Sequence, residues 1–131
     1  MQIQVVTPEK KAYDGEADSI LVPGKAGNFE IYKNHASILS SLVPGVLRIR
    51  NGQTDTIFNV SGGIIEFNAN NAVVLAEAAE TPSEIDLKRV QAAKERALER
   101  IKSRQEVDLA RAQRSLSRAL SRERVFEKYG A

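Results

Sequence analysis

The chain has 131 residues, no cysteine, one histidine and a formal net charge of +2. That length fits one ordinary domain or two small ones, and the lack of cysteine excludes disulfides, thiol nucleophiles and thiolate metal sites. No stretch approaches the roughly 20 apolar residues that span a bilayer, and no leader pattern opens the chain. We therefore expect a soluble intracellular protein, a class that includes subunits seated on a membrane complex.

The small net charge is the sum of two unlike halves. Residues 1–80 hold six Lys/Arg and nine Asp/Glu, for −3, whereas residues 81–131 hold thirteen and eight, for +5. Seven of the eight glycines lie within residues 15–63, and the last proline is Pro82. The shift predicts two modules joined at Thr81-Pro82, the second of which seeks an acidic or anionic partner.

Short β-type runs fill the first module, namely QIQVV, DSILVP, GVLRIR, TDTIFNV, GIIEFN and AVVLAEA. Turn residues separate them, at Pro23-Gly24, Pro44-Gly45, Asn51-Gly52, Gly62-Gly63 and Asn70-Asn71. Asn51-Gly52 tolerates the positive φ of a type I′ turn and therefore predicts a hairpin. Short strands at this spacing are typical of an antiparallel sandwich or a small barrel.

The second module is rich in helix formers and begins with helix-start signals. Thr81 predicts an N-cap, with Pro82 at the first helical position and Glu84 completing a capping box. Ser83 and Asp86 repeat the pattern two residues later, so the sequence predicts two alternative helix starts that differ by two residues.

Apolar residues in this module recur at helical spacing on two stripes. The stripes comprise Val90, Ala93, Ala97 and Ile101, then Leu109, Ala112, Leu116, Ala119 and Phe126. Because residues 102–108 interrupt the pattern, we predict two helices of about 20 residues folded as an antiparallel hairpin. At roughly 25 cal/mol per Å² of buried apolar area, an alanine-lined seam is weak, so the hairpin is expected to open readily.

The last predicted helix carries a basic stripe. At about 100° per residue, Arg111, Arg114, Arg118 and Arg122 fall within about 80° of one another. Glu123 is the one acid within residues 109–124. The stripe is either a solvated face or a surface for an acidic protein segment, a nucleic acid or a polyphosphate. Nucleic acid ranks below the others, because no aromatic residues interleave the arginines and no nucleic-acid motif occurs.

Motifs for independent catalysis are missing from the sequence. GxxxxGK[ST], GxGxxG, HExxH and GxSxG do not occur, and VSGGIIEF joins two strand-like runs instead of opening a helix. The only candidate base for a serine nucleophile is His35, and no motif in the sequence places it beside a serine. We expect a chain that is not itself an enzyme, with no catalytic residue and no metal site.

Taken in order, several stretches resemble the ε subunit of F-type ATP synthases. The resemblance is carried by TPEKKAYDGEADSILVPGKAGNFEI, NHASILSSLVPGVLRI, VSGGIIEF, VVLAEAAE and IDLKRVQAAKERA, which together cover essentially the whole chain. It implies an α+β fold with two domains. These are an N-terminal antiparallel β-sandwich at residues 1–80 and a C-terminal antiparallel two-helix hairpin at residues 81–131.

The resemblance also implies a rotor role in the central stalk. The sandwich would bind the γ subunit and the c-ring and help to couple proton- or sodium-driven rotation to the catalytic head. The hairpin would extend into the head and inhibit ATP hydrolysis, with a basic face, Arg111, Arg114, Arg118 and Arg122, against the β (and α) subunits. The implied location is peripheral, on the cytoplasmic side of the inner or plasma membrane, or on the stromal side of a thylakoid.

Some family members bind ATP at the folded hairpin, so ATP is a candidate regulatory ligand and no cofactor is required. The matching residues here are Glu80, Ile85, Asp86, Arg89, Arg118 and Arg122. Val90 stands where the family motif has alanine, and its larger side chain would crowd the adenine pocket. Asp86 and Arg89 are equally well explained as charges that favour a helix start.

A loop that faces the c-ring in the family is also unusual here. The implied contact residues are Asn28, Glu30, Tyr32, Lys33 and His35. Asn28 replaces an acid, Glu30 replaces a glycine, and Lys33-Asn34 replaces Pro-Gly. On this interpretation His35 makes a contact and has no catalytic role.

Two other classes of function are alternatives to the rotor subunit. A stand-alone regulatory module that senses nucleotide would bind ATP without forming a stable complex. A nucleic-acid-binding coiled coil would lose affinity steeply with added salt.

Overall fold

The structure, a computed structural model, describes residues 1–103 and 106–130. Strands occupy the first part of the chain, followed by a 3₁₀ turn and two helices, and this order confirms the predicted fold class. The strands are β1 (Gln2–Val6), β2 (Lys11–Glu16), β3 (Ser19–Gly24), β4 (Gly27–Tyr32), β5 (Ile38–Asn51), β6 (Thr54–Asn68), β7 (Asn71–Ala76) and β8 (Ala79–Glu80). The 3₁₀ turn is Pro82–Glu84, and the helices are α1 (Leu87–Ser103) and α2 (Glu106–Tyr129).

The two longest strands, β5 and β6, belong to both layers of the sandwich. The first part of β5 pairs with the last part of β6, and this layer continues through β7, β1 and β2. The second part of β5 pairs with the first part of β6, and this layer continues through β3 to β4. All neighbouring strands described here are antiparallel except β1 and β7, which are parallel.

The fold-over between the layers explains two turn predictions that are wrong. Pro44-Gly45 and Gly62-Gly63 lie inside continuous strands, with Pro44 opposite Ser61 and Leu42 opposite Gly63. Gly63 has φ 144°, and a Cβ there would lie 2.1 Å from the Leu75 carbonyl oxygen. These residues therefore bend a strand where an isolated sequence reading predicts a chain reversal.

The predicted hairpin at Asn51-Gly52 is confirmed, but its type is not I′. Asn51 pairs with Thr54, so the central residues are Gly52 and Gln53, and of these Gly52 alone has positive φ. Type I′ needs positive φ at both central positions. That condition is met at the β6–β7 turn, where Ala69 and Asn70 have φ 49° and 60°.

Strands β2 and β4 were not predicted, and both lie at sheet edges. The sequence of β2, KAYDGE, carries three charged residues and a glycine and has no apolar alternation, as is common at a sheet edge. The sequence of β4, GNFEIY, does alternate, because Phe29 and Ile31 alternate with Asn28 and Glu30, and Ile31 is fully buried.

The main core lies entirely within the sandwich. Its buried side chains all come from residues 1–79, with Ile3, Ile20, Ile31, Leu47, Ile49, Ile65 and Phe67 among the largest that are fully buried. No described residue of α1 or α2 contributes to it. The sandwich therefore has a core of its own that does not depend on the hairpin.

The first helix begins five residues later than its earliest predicted start. Glu84 accepts a hydrogen bond from the Thr81 backbone N–H at 3.0 Å, but this closes only the 3₁₀ turn. Ile85 is extended (φ −77°, ψ 122°) and ends that turn. Asp86 then caps α1, because its carboxylate accepts hydrogen bonds from the backbone N–H groups of residues 88 and 89 at 3.1 and 3.3 Å.

The two helices form an antiparallel hairpin of 17 and 24 residues. Polar contacts join the N-terminal part of α1 to the C-terminal part of α2. The Gln91 amide and the Lys94 ammonium both donate to the Glu123 carboxylate, at 2.8 and 3.1 Å. Ala97 and Ala112 are fully buried along the seam. The predicted interruption at residues 102–108 lies partly outside the described residues.

The hairpin lies folded on the sandwich. Helix α2 contacts β5 and β6, and a second apolar cluster joins the two modules. Val125 is buried in this cluster, and Val46 and Ile57 of the sandwich pack against it. The cluster is much smaller than the sandwich core, so only a limited apolar area holds the hairpin in this position.

Candidate functional site

Polar contacts tie α2 to the sandwich beside the small apolar cluster. The Ser121 hydroxyl donates to the Asn59 amide oxygen at 2.6 Å, and both side chains are buried. The Arg122 guanidinium donates to Glu80 at 2.6 Å and to the Ser61 hydroxyl at 3.2 Å. These contacts exist only while the hairpin lies on the sandwich.

The junction between the modules is closed by Glu84. Its carboxylate accepts hydrogen bonds from the Thr81 backbone and hydroxyl and from the Lys10 ammonium, the last at 3.1 Å. These bonds, the backbone one foremost, hold the pKa of Glu84 below its ordinary value of 4.5. Because the Lys10–Glu84 pair is half exposed, we assign it little of the docking free energy.

A cleft of about 450 Å³ opens between α1, α2 and the end of the sandwich. Five of the six residues predicted to bind nucleotide line it together: Glu80, Asp86, Arg89, Arg118 and Arg122. The sixth, Ile85, does not line the cleft and is buried in the apolar cluster beneath the hairpin. Val90 lines the cleft and is itself almost completely buried, so its side chain forms part of the wall.

Two further arginines, Arg96 and Arg100, line the cleft and were not among the predicted site residues. Arg96 and Arg100 follow Arg89 by seven and eleven residues, which places all three on one face of α1 at about 100° per residue. The same periodicity could have found them. With Arg118 and Arg122 they bring five guanidiniums to one cleft, a charge pattern suited to a polyanion such as a phosphate chain.

The structure divides the basic stripe of α2 in two. Arg111 and Arg114 are exposed, whereas Arg118 and Arg122 are half-buried in the cleft. Arg122 is paired with Glu80, an acid supplied by the sandwich and not by the stripe itself. The stripe itself holds few acids, as the sequence indicates, and the partner of Arg122 comes from outside it.

The five predicted c-ring contacts do not form one loop. Asn28, Glu30 and Tyr32 lie along edge strand β4, while Lys33 and His35 follow it. Asn28 pairs with Pro23 near one end of the strand, and Tyr32 pairs with Ser19 at the other. Asn28 and Tyr32 are therefore roughly 13 Å apart along this edge, at 3.3 Å per residue.

Glu30 is already engaged within the sandwich. Its carboxylate accepts a hydrogen bond from Arg48 at 3.0 Å and another from the Tyr32 hydroxyl. The second bond is the main reason why the pKa of Tyr32 is raised. Glu30 is thus less available for an outside contact than the exposed Asn28.

The loop around His35 is held by neighbouring asparagines. Asn34 has φ 67°, a conformation that asparagine tolerates. Its backbone N–H donates to the Asn70 side-chain oxygen at 2.6 Å, and the Asn70 amide donates back to Asn34 at 3.0 Å. The exposed His35 ring packs edge-on against Phe67, 6.0 Å between centroids. Among the described residues, no group of three or more His, Cys, Asp or Glu side chains is placed to hold a metal ion.

One outer face of the sandwich exposes large apolar side chains. Leu39 is 70% exposed, and Val43, Ile64 and Leu75 are 37%, 41% and 48% exposed. Ile64 pairs directly with both Ser41 and Leu75, so these residues lie on adjacent strands β5, β6 and β7. Contiguous apolar exposure of this kind marks an interaction surface.

Neither helix, in the part of each that is described, is long and apolar enough to cross a membrane.

Comparison with known proteins gives matches over almost the whole chain. Residues 1–82 match the β-sandwich domain of the ATP synthase delta/epsilon chain, and residues 83–127 match its long α-helix domain. The ATP synthase epsilon chain of Alkalihalophilus pseudofirmus is 40% identical over 79% of this chain and 77% of its own length. That of Desulforudis audaxviator is 46% identical over 76% of this chain and 73% of its own length.

A solved structure supports the fold. A chain in the cryo-EM structure of the Euglena gracilis mitochondrial ATP synthase superposes with a TM-score of 0.83 at 18% identity, covering 93% of this chain and 78% of that one. At this identity the likeness speaks for the fold alone. Together with the domain matches and the curated relatives, it leads to one conclusion: the chain belongs to the ATP synthase epsilon-chain family and is a non-catalytic subunit of that complex.

Proposed function

We propose that this chain is a rotor subunit of the central stalk, which couples c-ring rotation to the catalytic head and inhibits ATP hydrolysis through its hairpin. One observation carries the proposal: the hairpin is docked on a sandwich that has its own core, through a small apolar cluster and a few polar contacts. Such a contact is worth a few kcal/mol, so the folded and extended states are close enough in free energy to exchange.

Within this role, the exposed apolar face of Leu39, Val43, Ile64 and Leu75 binds the γ subunit. Burying that face against a permanent partner removes a patch that a free monomer would leave in water. The β4 edge, with Asn28, Tyr32, Lys33 and His35 exposed, meets the c-ring. The subunit is then held at the cytoplasmic side of the inner or plasma membrane through the complex, or at the stromal side of a thylakoid in a plastid.

The extended hairpin inhibits by presenting its arginines to an acidic segment of the β subunit. Arg111 and Arg114 are exposed in the folded hairpin, whereas Arg118 and Arg122 must first leave the cleft. Arg122 must also give up its hydrogen bond to the Glu80 carboxylate. The inhibitory contact and the docked hairpin therefore compete for the same guanidiniums. This competition makes the two states mutually exclusive.

Truncation after Glu80 tests the inhibitory role. The truncated chain keeps the whole sandwich core, so it should still join the catalytic complex, while ATP hydrolysis by that complex should rise relative to the full chain. A matched variant, N59C/S121C, places a disulfide where the two side chains touch, in a chain with no other cysteine. Oxidation should give the same high hydrolysis, and reduction should restore inhibition. If the locked and truncated complexes hydrolyse ATP no faster than the wild type, the hairpin is not the inhibitor.

ATP is the ligand we propose for the cleft between the helices. Its phosphates would meet Arg89, Arg118 and Arg122, and binding would stabilise the folded, non-inhibiting state through its higher affinity for that state. Asp86 is already used as the α1 cap, which supports the purely structural alternative for this residue. The Val90 side chain narrows the cleft where the adenine base would lie, so Val90→Ala should bind ATP more tightly.

Calorimetry on the isolated chain decides whether ATP binds. Heat of binding should appear at millimolar ATP and decrease in Arg118→Gln, while Arg124→Gln, an exposed residue of α2 outside the cleft, should match the wild type. No heat at millimolar ATP for both the wild type and Val90→Ala would rule out the nucleotide site.

Co-purification from native membranes separates the rotor subunit from a stand-alone nucleotide-sensing module. The rotor role requires recovery with the γ subunit. A chain that binds ATP but is recovered free would instead support the stand-alone module.

A further inference from the structure

A second groove, of about 630 Å³, lies between α2 and the bend of the sandwich. It is separate from the arginine-rich cleft, although Arg118 borders both. The side chains that matter for its chemistry are Val43, Ile64, Leu75, Glu77, Arg114 and Ser117.

The floor of the groove is apolar and continues the exposed face of the sandwich. Val43, Ile64 and Leu75 belong to both. A partner that covers the apolar face would therefore reach this groove without a break.

The wall of the groove is cationic and comes from α2. Arg114 is exposed and makes no hydrogen bond or ion pair with any described residue, and Arg118 bonds only to the Ser115 hydroxyl, at 3.1 Å. Glu77 is the acid among the lining residues. An apolar floor beside the unpaired Arg114 guanidinium suits a segment that is apolar on one side and carries a carboxylate on the other.

The groove exists only in the folded state, because its floor and its wall belong to different modules. Val43, Ile64 and Leu75 are in the sandwich, whereas Arg114 is on α2. When the hairpin leaves the sandwich, the floor stays in place and the cationic wall is lost.

We propose that an acidic, amphipathic segment of the γ subunit docks in this composite groove, so that γ binds the folded hairpin more tightly than the extended one. The inference rests on the proposed docking of γ on the apolar face and adds a regulatory consequence. By linkage, a partner that prefers the folded state stabilises that state by the same factor. The γ subunit therefore opposes hairpin extension.

The experiment measures binding of the full chain to the catalytic complex that contains γ and lacks this subunit. All variants carry the oxidised N59C/S121C lock, which keeps the hairpin from reaching the β subunit. Arg114→Glu should bind about tenfold more weakly, because it places like charges together across the groove. Arg124→Glu makes the same charge change at an exposed position of α2 outside the groove and should match the locked parent.

A third variant separates this proposal from the one on which it rests. Ile64→Thr changes the exposed apolar face and should also weaken binding. If Ile64→Thr weakens binding while Arg114→Glu and Arg124→Glu behave alike, the composite groove is overturned and the apolar docking face stands. If Ile64→Thr binds as the parent does, the docking face itself is refuted. Self-association of the isolated chain that Arg114→Glu abolishes would identify a second copy as the occupant and overturn the proposal.

Discussion

The buried hydrogen bond between Ser121 and Asn59 should control how often the hairpin leaves the sandwich. Ser121 is 1% exposed and Asn59 is 0% exposed, and their oxygens lie 2.6 Å apart. The Asn59 amide nitrogen has no partner among the described residues, so Ser121→Ala leaves the whole amide group without one in the docked state. An unsatisfied buried polar group costs about 1–3 kcal/mol, which should raise the undocked population about 5- to 150-fold.

Limited proteolysis with trypsin can measure this population, because α2 is rich in arginine and cleavage follows the open fraction when opening is fast. Cleavage after Lys33 in the sandwich serves as the internal reference. The double variant Ser121→Ala/Asn59→Leu removes both polar partners and should return cleavage towards the wild-type rate, since replacing both by apolar groups is nearly neutral. Wild-type cleavage of Ser121→Ala would refute the reasoning that this bond stabilises docking.

Three further predictions concern the junction, the seam and the His35 loop. Because the pKa of Glu84 is lower in the folded chain, the stability that this carboxylate contributes should be fully present above about pH 4.5 and lost as the pH falls through the lower folded value. The difference in free energy of unfolding between the wild type and Glu84→Gln, measured by denaturant titration, should therefore shrink over that range. A difference that stays constant with pH would contradict this. Ala97→Leu should overpack the seam and cost about 1–3 kcal/mol of hairpin stability, seen as earlier loss of the helical circular-dichroism signal on heating, whereas the exposed Glu95→Leu should not. Asn34→Ala should destabilise the chain by about 1 kcal/mol or more because of its φ of 67°, and Asn34→Gly should cost less; equal unfolding midpoints for the two variants would count against this assignment.

The arginines of α2 contribute to two concave surfaces of the folded hairpin that have different lining residues. Arg122 belongs to the arginine-rich cleft, Arg114 to the composite groove, and Arg118 borders both. A ligand in either place would favour the folded state, and both places lose one wall when the hairpin extends. The basic stripe that looks uniform in sequence is therefore a set of positions with distinct neighbours.

Much of the architecture followed from the sequence. Glycine and proline use, charge asymmetry and the change from β-type runs to helical periodicity predicted a strand-rich module followed by two helices, and the resemblance made the first of these a sandwich. Edge strand β2 was missed because an edge buries too little to impose an alternating pattern. Edge strand β4 has Phe29 and Ile31 alternating with polar residues, so the same pattern could have found it. The exact helix start was also missed, because Thr81-Glu84 and Asp86 are both good caps and only packing decides which one begins α1.

Some features of the candidate sites could likewise be predicted from the sequence, and others could not. Local periodicity is enough to predict that Arg111, Arg114, Arg118 and Arg122 share a face, because that spacing is fixed by the helix itself. It could not predict that Glu80, 42 residues away, pairs with Arg122, or that Asn59 lies under Ser121. The faces that the helices offer can be predicted from the residue order, because short-range backbone geometry fixes them. Which faces meet depends on the tertiary structure, because a contact between distant residues requires the sandwich to fold over at Gly62-Gly63 and the hairpin to pack against it.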